Sequence, residues 1–186
     1  MTVLAIYPEQ GVSIPKVIKQ PQKISAALIN EGVLFEQWQA SVPLAAEATQ
    51  EQIIEAYKES VNRLMGKYDF QSVDVISLDA DHPEKEALRS KFLSEHTHSD
   101  FEVRFFVEGK GLFYIHINEQ VYGLMCEAGD LISVPSNVPH WFDMGENPSF
   151  KCIRLFTTPE GWVADYTDDP IAASFPSFEK FSGQYL

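Results

Sequence analysis

The sequence predicts a mainly β protein with peripheral α-helices, on three observations. From residue 101 onward, short runs of β-branched and aromatic residues alternate with turns rich in Gly, Asn, Asp and Pro. Helical spacing of apolar residues is confined to a few stretches of the first 100 residues. The chain has 186 residues, of which 45% are hydrophobic, and this is enough for one sizeable core. Evenly spaced short strands are typical of an antiparallel barrel or sandwich.

The predicted helices lie before this β-rich part. The clearest one covers residues 49–66, where Thr49 and Gln52 fit a capping box, apolar residues follow at helical spacing, and Gly66 can end the helix. Shorter helices are predicted over residues 24–31 and 83–93, the latter with a proline in its first turn. Residues 73–78 are predicted to form a strand.

These elements predict one domain over residues 1–186, since no repeat, low-complexity tract or linker divides the chain. We expect a core barrel at about 72–160, an N-terminal layer of helices and strands over 1–71, and a C-terminal segment, 161–186, that wraps the outside. A hairpin turn is expected at Asn118 and Glu119, and a tight connection between Gly109 and Gly111.

The charge balance excludes several classes of partner. Asp and Glu number 27 against 14 Lys and Arg, for a net charge of −13, so a phosphate backbone would be repelled and no nucleic acid is expected. The first residues lack the basic region of an export signal, and no run of about 20 apolar residues could span a membrane. Cys126 and Cys152 are too few for a disulfide framework. We therefore expect a cytoplasmic protein with reduced, packed thiols.

Three of the five histidines have the spacing of metal ligands. In an extended segment the side-chain period is two residues, so His96, His98, Glu102 and Arg104 can face the same side. A turn bounded by two prolines can bring His140 to that side as well. Three neutral imidazoles and one carboxylate suit a divalent transition metal and leave two octahedral positions free.

A lone HxH pattern is more often a pair of ordinary core histidines, but this pattern is longer. His96, His98, Glu102 and Gly109 match the first cupin motif, HxHx3Ex6G, and Gly129, Pro135 and His140 match the second, Gx5PxGx2H. The sequence departs from the motifs at Ser90, Met144 and Asn137, the last replacing a glycine whose left-handed backbone Asn also tolerates. The other histidines, His82 and His116, are expected to be a helix-cap or surface residue and a strand residue.

Three longer stretches resemble the acireductone dioxygenase family: HTHSDFEVRFFVEGKGLFYIHI, GDLISVPSNVPHWFDMG and CIRLFTTPEGWVADYT. The likeness covers roughly residues 90–170 and is looser before them. The resemblance implies a cupin barrel and a monomer that binds one Fe²⁺ or Ni²⁺ through His96, His98, Glu102 and His140.

The resemblance also implies a reaction, the O2-dependent cleavage of 1,2-dihydroxy-3-keto-5-methylthiopentene in methionine salvage. The iron form of the family gives 4-methylthio-2-oxobutanoate and formate. The nickel form gives 3-methylthiopropanoate, formate and carbon monoxide. The partners implied are therefore a small-molecule substrate and O2.

Charge balance at such a metal supports this chemistry. A divalent ion with Glu102 carries about +1 and a doubly ionised enediol about −2, so a further cation is needed. Arg104 is the first candidate for a catalytic and substrate-binding role and Arg154 the second, the alternative for each being an ordinary ion pair. Phe142 and Trp162 are candidate contacts for the methylthio tail, or else ordinary core aromatics.

Two other functions stay open at this point. One is a metal-dependent cupin enzyme acting on a thiol, a sugar phosphate or an aromatic diol. The other is a non-catalytic cupin that binds or senses a ligand. The presence of all four ligand positions, without a basic arm or a DNA-binding helix pair, favours an enzyme.

Overall fold

The computed structural model describes residues 1–11, 14–40, 42–45 and 47–186 of the chain. Its β-strands are β1 (Val3–Pro8), β2 (Lys16–Ile18), β3 (Phe35–Gln37), β4 (Ser72–Leu78), β5 (His96–Thr97), β6 (Glu102–Ile117), β7 (Gln120–Glu127), β8 (Asp130–Val134), β9 (His140–Asp143), β10 (Phe150–Phe156) and β11 (Asp165–Tyr166). The helices are α1 (Pro21–Ile29), α2 (Gln50–Ala56), α3 (Lys58–Tyr68), α4 (Lys85–Leu93) and α5 (Phe178–Tyr185), with a 3₁₀ helix at Pro170–Ser174.

Strand β6 connects the two halves of the barrel. Its first half pairs with β8 and β10, and its second half pairs with β7 and β9, all antiparallel. The order β4-β10-β6-β8-β3 forms one side, and β11-β5-β9-β6-β7-β1-β2 forms the other. The mainly β fold predicted from the sequence is confirmed.

Gly109 allows β6 to cross between the halves. It has a φ of +70°, and a Cβ there would lie 1.8 Å from the carbonyl oxygen of Ser149. Only glycine tolerates both conditions. The tight connection predicted between Gly109 and Gly111 is therefore wrong, because the strand continues through these residues without reversing.

The core consists of an interior layer and two outer layers. The interior layer, which includes Phe106, Phe113, Phe142 and Phe150, fills the barrel. Side chains of α2 and α3 cover the outside of β6, β8 and β10, while those of the 3₁₀ helix and α5 cover the outside of β1, β7 and β9. Strands buried on both faces explain the nearly continuous apolar runs in the sequence.

The helices differ from prediction mainly at their ends. The capping box of Thr49 and Gln52 is present, but the predicted helix 49–66 is divided at Tyr57, whose φ of −108° and ψ of 17° are not helical. The second part ends at Asp69, a left-handed residue with φ 55°, rather than at Gly66. The hairpin turn at Asn118 and Glu119 is confirmed, with φ values of 51° and 59°. Within the described residues, no helix is long and apolar enough to cross a membrane.

Candidate metal centre

Strands β5, β6 and β9 bring the predicted ligands to one end of the barrel interior. His96 of β5 lies directly opposite His140 of β9. His98 follows β5, and Glu102 is the first residue of β6. A backbone bond from the Asn137 N–H to the His98 carbonyl, 2.8 Å long, holds the turn before His140 against β5. The ring nitrogens of the three histidines lie within 4.8 Å of one another.

Each of these imidazoles uses its Nδ1 atom to bond a backbone carbonyl. His96 and His140 bond carbonyls two residues earlier in the chain, at 2.7 and 2.8 Å. His98 bonds the carbonyl of Val163, at 2.8 Å. Since a carbonyl oxygen only accepts, Nδ1 must carry the proton, and the lone pair of Nε2 is free in all three rings.

Glu102 completes the cluster with an oxygen. Its Oε2 atom lies 3.4 Å from Nε2 of His98 and 3.9 Å from Nε2 of His140. Both Glu102 Oε2 and His140 Nε2 are buried, and neither has a hydrogen-bond partner among the residues that the structure describes. Buried acceptors without a partner are costly, and a divalent cation between them would satisfy both. The donor set therefore fits a transition metal.

The protonation states also suit a metal. Burial lowers the pKa of His140 to about 3 and lowers the pKa of His96 as well, so both rings are neutral near pH 7. Burial by itself would raise the pKa of Glu102, but the charge of Arg104 and the neighbouring His98 hold it well below its usual range. The site thus presents the neutral imidazoles of His96 and His140 and an ionised carboxylate.

Arg104 lies beside this cluster inside the barrel. Its Nε donates to Glu102 Oε1, and its guanidinium carbon lies 4.8 Å from the ring centroid of Phe113 and 5.2 Å from that of Phe142. The side chain is 3% exposed, and its Nη1 has no hydrogen-bond partner in the described part of the chain. One donor of a permanently charged group is therefore available to a ligand.

The other predicted substrate residues have different surroundings. Arg154 lies opposite Arg104 in the pairing of β10 with β6, but its Nε and Nη2 bind Asp74 at 2.9 and 2.7 Å. Phe142 is buried in the interior layer, with its ring 4.9 Å from that of Phe113. Trp162 is 55% exposed and lies outside the interior layer. The structure thus brings Arg104 and Phe142 together and leaves Trp162 at the surface.

Two residues of this region were missed by the sequence reasoning. Val163 supplies the carbonyl for His98, and the Asp100 carboxylate binds the turn that precedes Val163. The motif TTPEG indicates a turn after β10, but nothing in its composition indicates where that turn packs.

Comparison with known proteins agrees with this geometry. The model of the family described as "ARD/ARD' family" matches residues 4–164. The chain is 56% identical to the acireductone dioxygenase of Methylococcus capsulatus over 185 residues, covering 100% of both chains. It is 59% identical to that of Aquifex aeolicus over 180 residues, covering 97% of this chain and 98% of that one.

Among solved structures, the chain resembles an acireductone dioxygenase from Bacillus anthracis with a cadmium ion in its active center. The TM-score is 0.79 at 33% sequence identity, over 89% of this chain and 98% of the other. On these similarities, together with the fold and the histidine cluster, the chain belongs to the ARD/ARD' family.

Proposed function

We propose that this chain is an acireductone dioxygenase that uses O2 and one Fe²⁺ or Ni²⁺ held by His96, His98, Glu102 and His140. The observation that carries the proposal is a pair of buried acceptors, Glu102 Oε2 and His140 Nε2, which lie 3.9 Å apart and have no hydrogen-bond partner among the described residues. Full-length relatives that bear this name, and a related structure with cadmium in its active center, support it.

When bound, the metal would act as a Lewis acid and as a template for the enediol and O2. The chain's own contribution begins with the exclusion of water. The three histidines are at most 5% exposed and Glu102 is 1% exposed, so charges inside the site interact more strongly than they would in water.

Arg104 is proposed to bind the ionised oxygens of the substrate. Three neutral imidazoles and one carboxylate would leave a divalent ion with a charge of about +1, against about −2 on the enediolate. The Nη1 of Arg104, which has no partner in the part of the chain that the structure describes, supplies the missing positive donor, and the rings of Phe113 and Phe142 fix the plane of the guanidinium. Arg154 is proposed to stabilise the anionic substrate only through the electrostatic effect of its charge, because Asp74 already binds its guanidinium.

The two aromatic residues are proposed to contact the methylthio tail from different positions. Phe142 lies in the aromatic wall beside Arg104, where an apolar tail would pack. Trp162 is adjacent in sequence to Val163, whose carbonyl binds His98, but its ring is largely exposed. A contact between Trp162 and the tail therefore stays a prediction from the sequence.

The metal is further proposed to decide the products. Iron would give 4-methylthio-2-oxobutanoate and formate, and nickel would give 3-methylthiopropanoate, formate and carbon monoxide. We also propose that the chain is a monomeric, single-domain cytoplasmic enzyme without a nucleic-acid partner, as its net charge of −13 favours.

The test is O2-dependent loss of enzymatically generated acireductone by metal-stripped protein, before and after Fe²⁺ or Ni²⁺ is restored, with the products identified. Arg104→Ala is expected to retain metal and to lose about 100-fold or more in turnover, the usual loss for a charge-stabilising donor. The control is Arg63→Ala, which removes an exposed arginine stacked 4.3 Å from the ring of Trp38 outside the barrel.

Three results would contradict the proposal. Full turnover by Glu102→Ala would show that the proposed metal centre is not needed for activity. Full turnover by Arg104→Ala would show that Arg104 does not bind the substrate. Tight metal binding without turnover on acireductone would leave the metal centre in place and assign the chain to another cupin substrate.

A further inference from the structure

The three histidines of the metal centre are not oriented in the same way. The Nδ1 atoms of His96 and His140 bond carbonyls of their own segments, two residues away. The partner of His98 is the carbonyl of Val163, which is 65 residues away in the sequence. Correct orientation of His98 therefore depends on a distant segment, the turn of residues 157–163 between β10 and β11.

This turn buries little apolar surface of its own. Trp162 and Val163 are 55% and 50% exposed, so hydrophobic packing contributes little to holding the Val163 carbonyl in place. The pairing of β11 with β5 holds the chain after the turn, and a further interaction is needed to hold the turn itself.

The carboxylate of Asp100 supplies that interaction. Asp100 is 6% exposed, and its Oδ1 accepts the hydroxyl of Thr157. Its Oδ2 accepts the backbone N–H of Thr158 at 2.8 Å and the hydroxyl of that residue at 3.3 Å. Hydrogen bonds to an ionised group are about twice as strong as neutral ones. Asp100 thus binds the first two residues of the turn, two positions after His98 in the chain.

Gly161 allows the rest of the turn to close on the same carboxylate. A Cβ at this position would lie 2.3 Å from Asp100 Oδ2 and 2.8 Å from the Cβ of Phe156. The turn is closed internally by bonds from the Gly161 N–H to the Thr158 carbonyl, 3.2 Å, and from the Val163 N–H to the carbonyl of residue 160, 3.0 Å. A side chain at Gly161 would therefore have to displace the turn from Asp100.

We propose that Asp100 and Gly161 are positioning residues of the metal centre. They hold the 157–163 turn so that the Val163 carbonyl accepts the Nδ1 proton of His98, which keeps the lone pair of its Nε2 directed at the metal. The inference rests on the metal centre of the proposed function, and it adds residues that act through His98 without touching the metal.

Loss of the hydrogen bond between His98 and Val163 should change metal binding, which the loss of a purely structural contact would not do. Partners that orient a ligand histidine typically change metal affinity by about 10- to 100-fold when they are lost. Displacing the turn should weaken one ligand of four and change the coordination geometry. It should leave the bonds that orient His96 and His140 intact.

The test is Gly161→Ala, with Gly183→Ala as the matched control, since a Cβ at Gly183 has no described atom within 4 Å. The dissociation constant for Co²⁺ is measured by competition with a chelator, and the visible spectrum of the Co²⁺ form reports coordination geometry. Gly161→Ala is expected to bind about tenfold more weakly or worse, with an altered spectrum. Gly183→Ala should match the wild type.

A second pair of variants keeps the test valid if Gly161→Ala fails to fold. Thr157→Val removes the hydroxyl that Asp100 accepts, and Thr157→Ser restores it. Weaker Co²⁺ binding in the first and recovery in the second would support the proposal.

Wild-type affinity and an unchanged spectrum in folded Gly161→Ala and Thr157→Val would overturn it, even if the unfolding temperature fell. If the wild type itself bound no Co²⁺, that result would contradict the proposed metal centre, and with it the role of Asp100 and Gly161. The two failures are therefore distinguishable.

Discussion

Acidification of the metal-free protein should reveal the buried histidines of the site. A histidine whose folded-state pKa lies below its unfolded value contributes stability that is complete above the unfolded pKa. That stability is lost as the pH falls toward the folded pKa. Burial lowers the pKa of His140 from 6.5 to about 3, so the pH window of this loss begins near 6.5. Below it, the unfolded chain binds a proton that the folded chain excludes.

The size of the effect follows from linkage. For a pKa of about 6.5 unfolded and about 3 folded, the free energy of unfolding should fall by about 2 kcal/mol between about pH 7.5 and about pH 5. His96, whose pKa is also lowered by burial, acts in the same direction. Carboxylates whose folded-state pKa is lowered, such as Glu102, contribute little in this window, because Asp and Glu side chains at about pKa 4 stay largely ionised above about pH 5 even when unfolded. Burial raises the pKa of Asp130, which acts in the opposite direction but equally in the wild type and in a His140 variant.

The assay is urea unfolding of the metal-free protein across this pH range, compared with His140→Gln. The variant should lose about 2 kcal/mol less than the wild type between the two ends of the range, because glutamine does not titrate. Phe142→Leu serves as the control, since its cavity should lower stability by a similar amount at every pH. Equal pH-dependent losses in the wild type and His140→Gln would refute the reasoning.

Two further substitutions test contacts that support the barrel around the site. Arg89→Met should lower the free energy of unfolding by about 3 kcal/mol in urea titrations, because it leaves the buried carboxylate of Asp143 without its bidentate partner. The two bonds that are lost measure 2.9 and 3.1 Å. A loss of stability below about 1 kcal/mol would contradict this. Asn137 has a left-handed backbone with φ 61°, so Asn137→Ala should lower the free energy of unfolding by about 1 kcal/mol in the same assay. Asn137→Gly should leave it nearly unchanged. Equal stabilities of these two variants would show that the left-handed backbone is not the cause.

Local patterns predicted most of the fold. The capping box at Thr49, the alternation of β-branched and aromatic residues, and the turn at Asn118 and Glu119 depend only on neighbours in the chain. The errors involve distant contacts. Gly109 continues β6 with the backbone of Ser149, the residue just before β10, packed against it, and no local pattern reports that approach.

The site shows the same division. The spacing of His96, His98 and Glu102 predicted a common face, and all three are buried together, although the chain bends at residues 99–100 and is not one continuous strand. Glu102 faces the interior because it pairs with Phe156 of β10, and not because it continues the strand of His96. The Val163 carbonyl was not predictable, because a backbone group has no residue type to recognise and its partner is 65 residues away.

The two arginines show how a correct position can leave a role undecided. Side-chain parity predicted that Arg104 faces the side of the proposed metal ligands, and Arg154 was the second candidate for the same role. The two arginines lie opposite each other in adjacent strands. Their partners separate them, because both oxygens of Asp74 bind Arg154, whereas Glu102 binds only Nε of Arg104. In the proposed metal centre, Glu102 would also share its charge with a metal, so the positive charge available to an anionic substrate would belong mainly to Arg104. Removing Asp74 should therefore change turnover less than removing Arg104, and the opposite order would assign the substrate to Arg154.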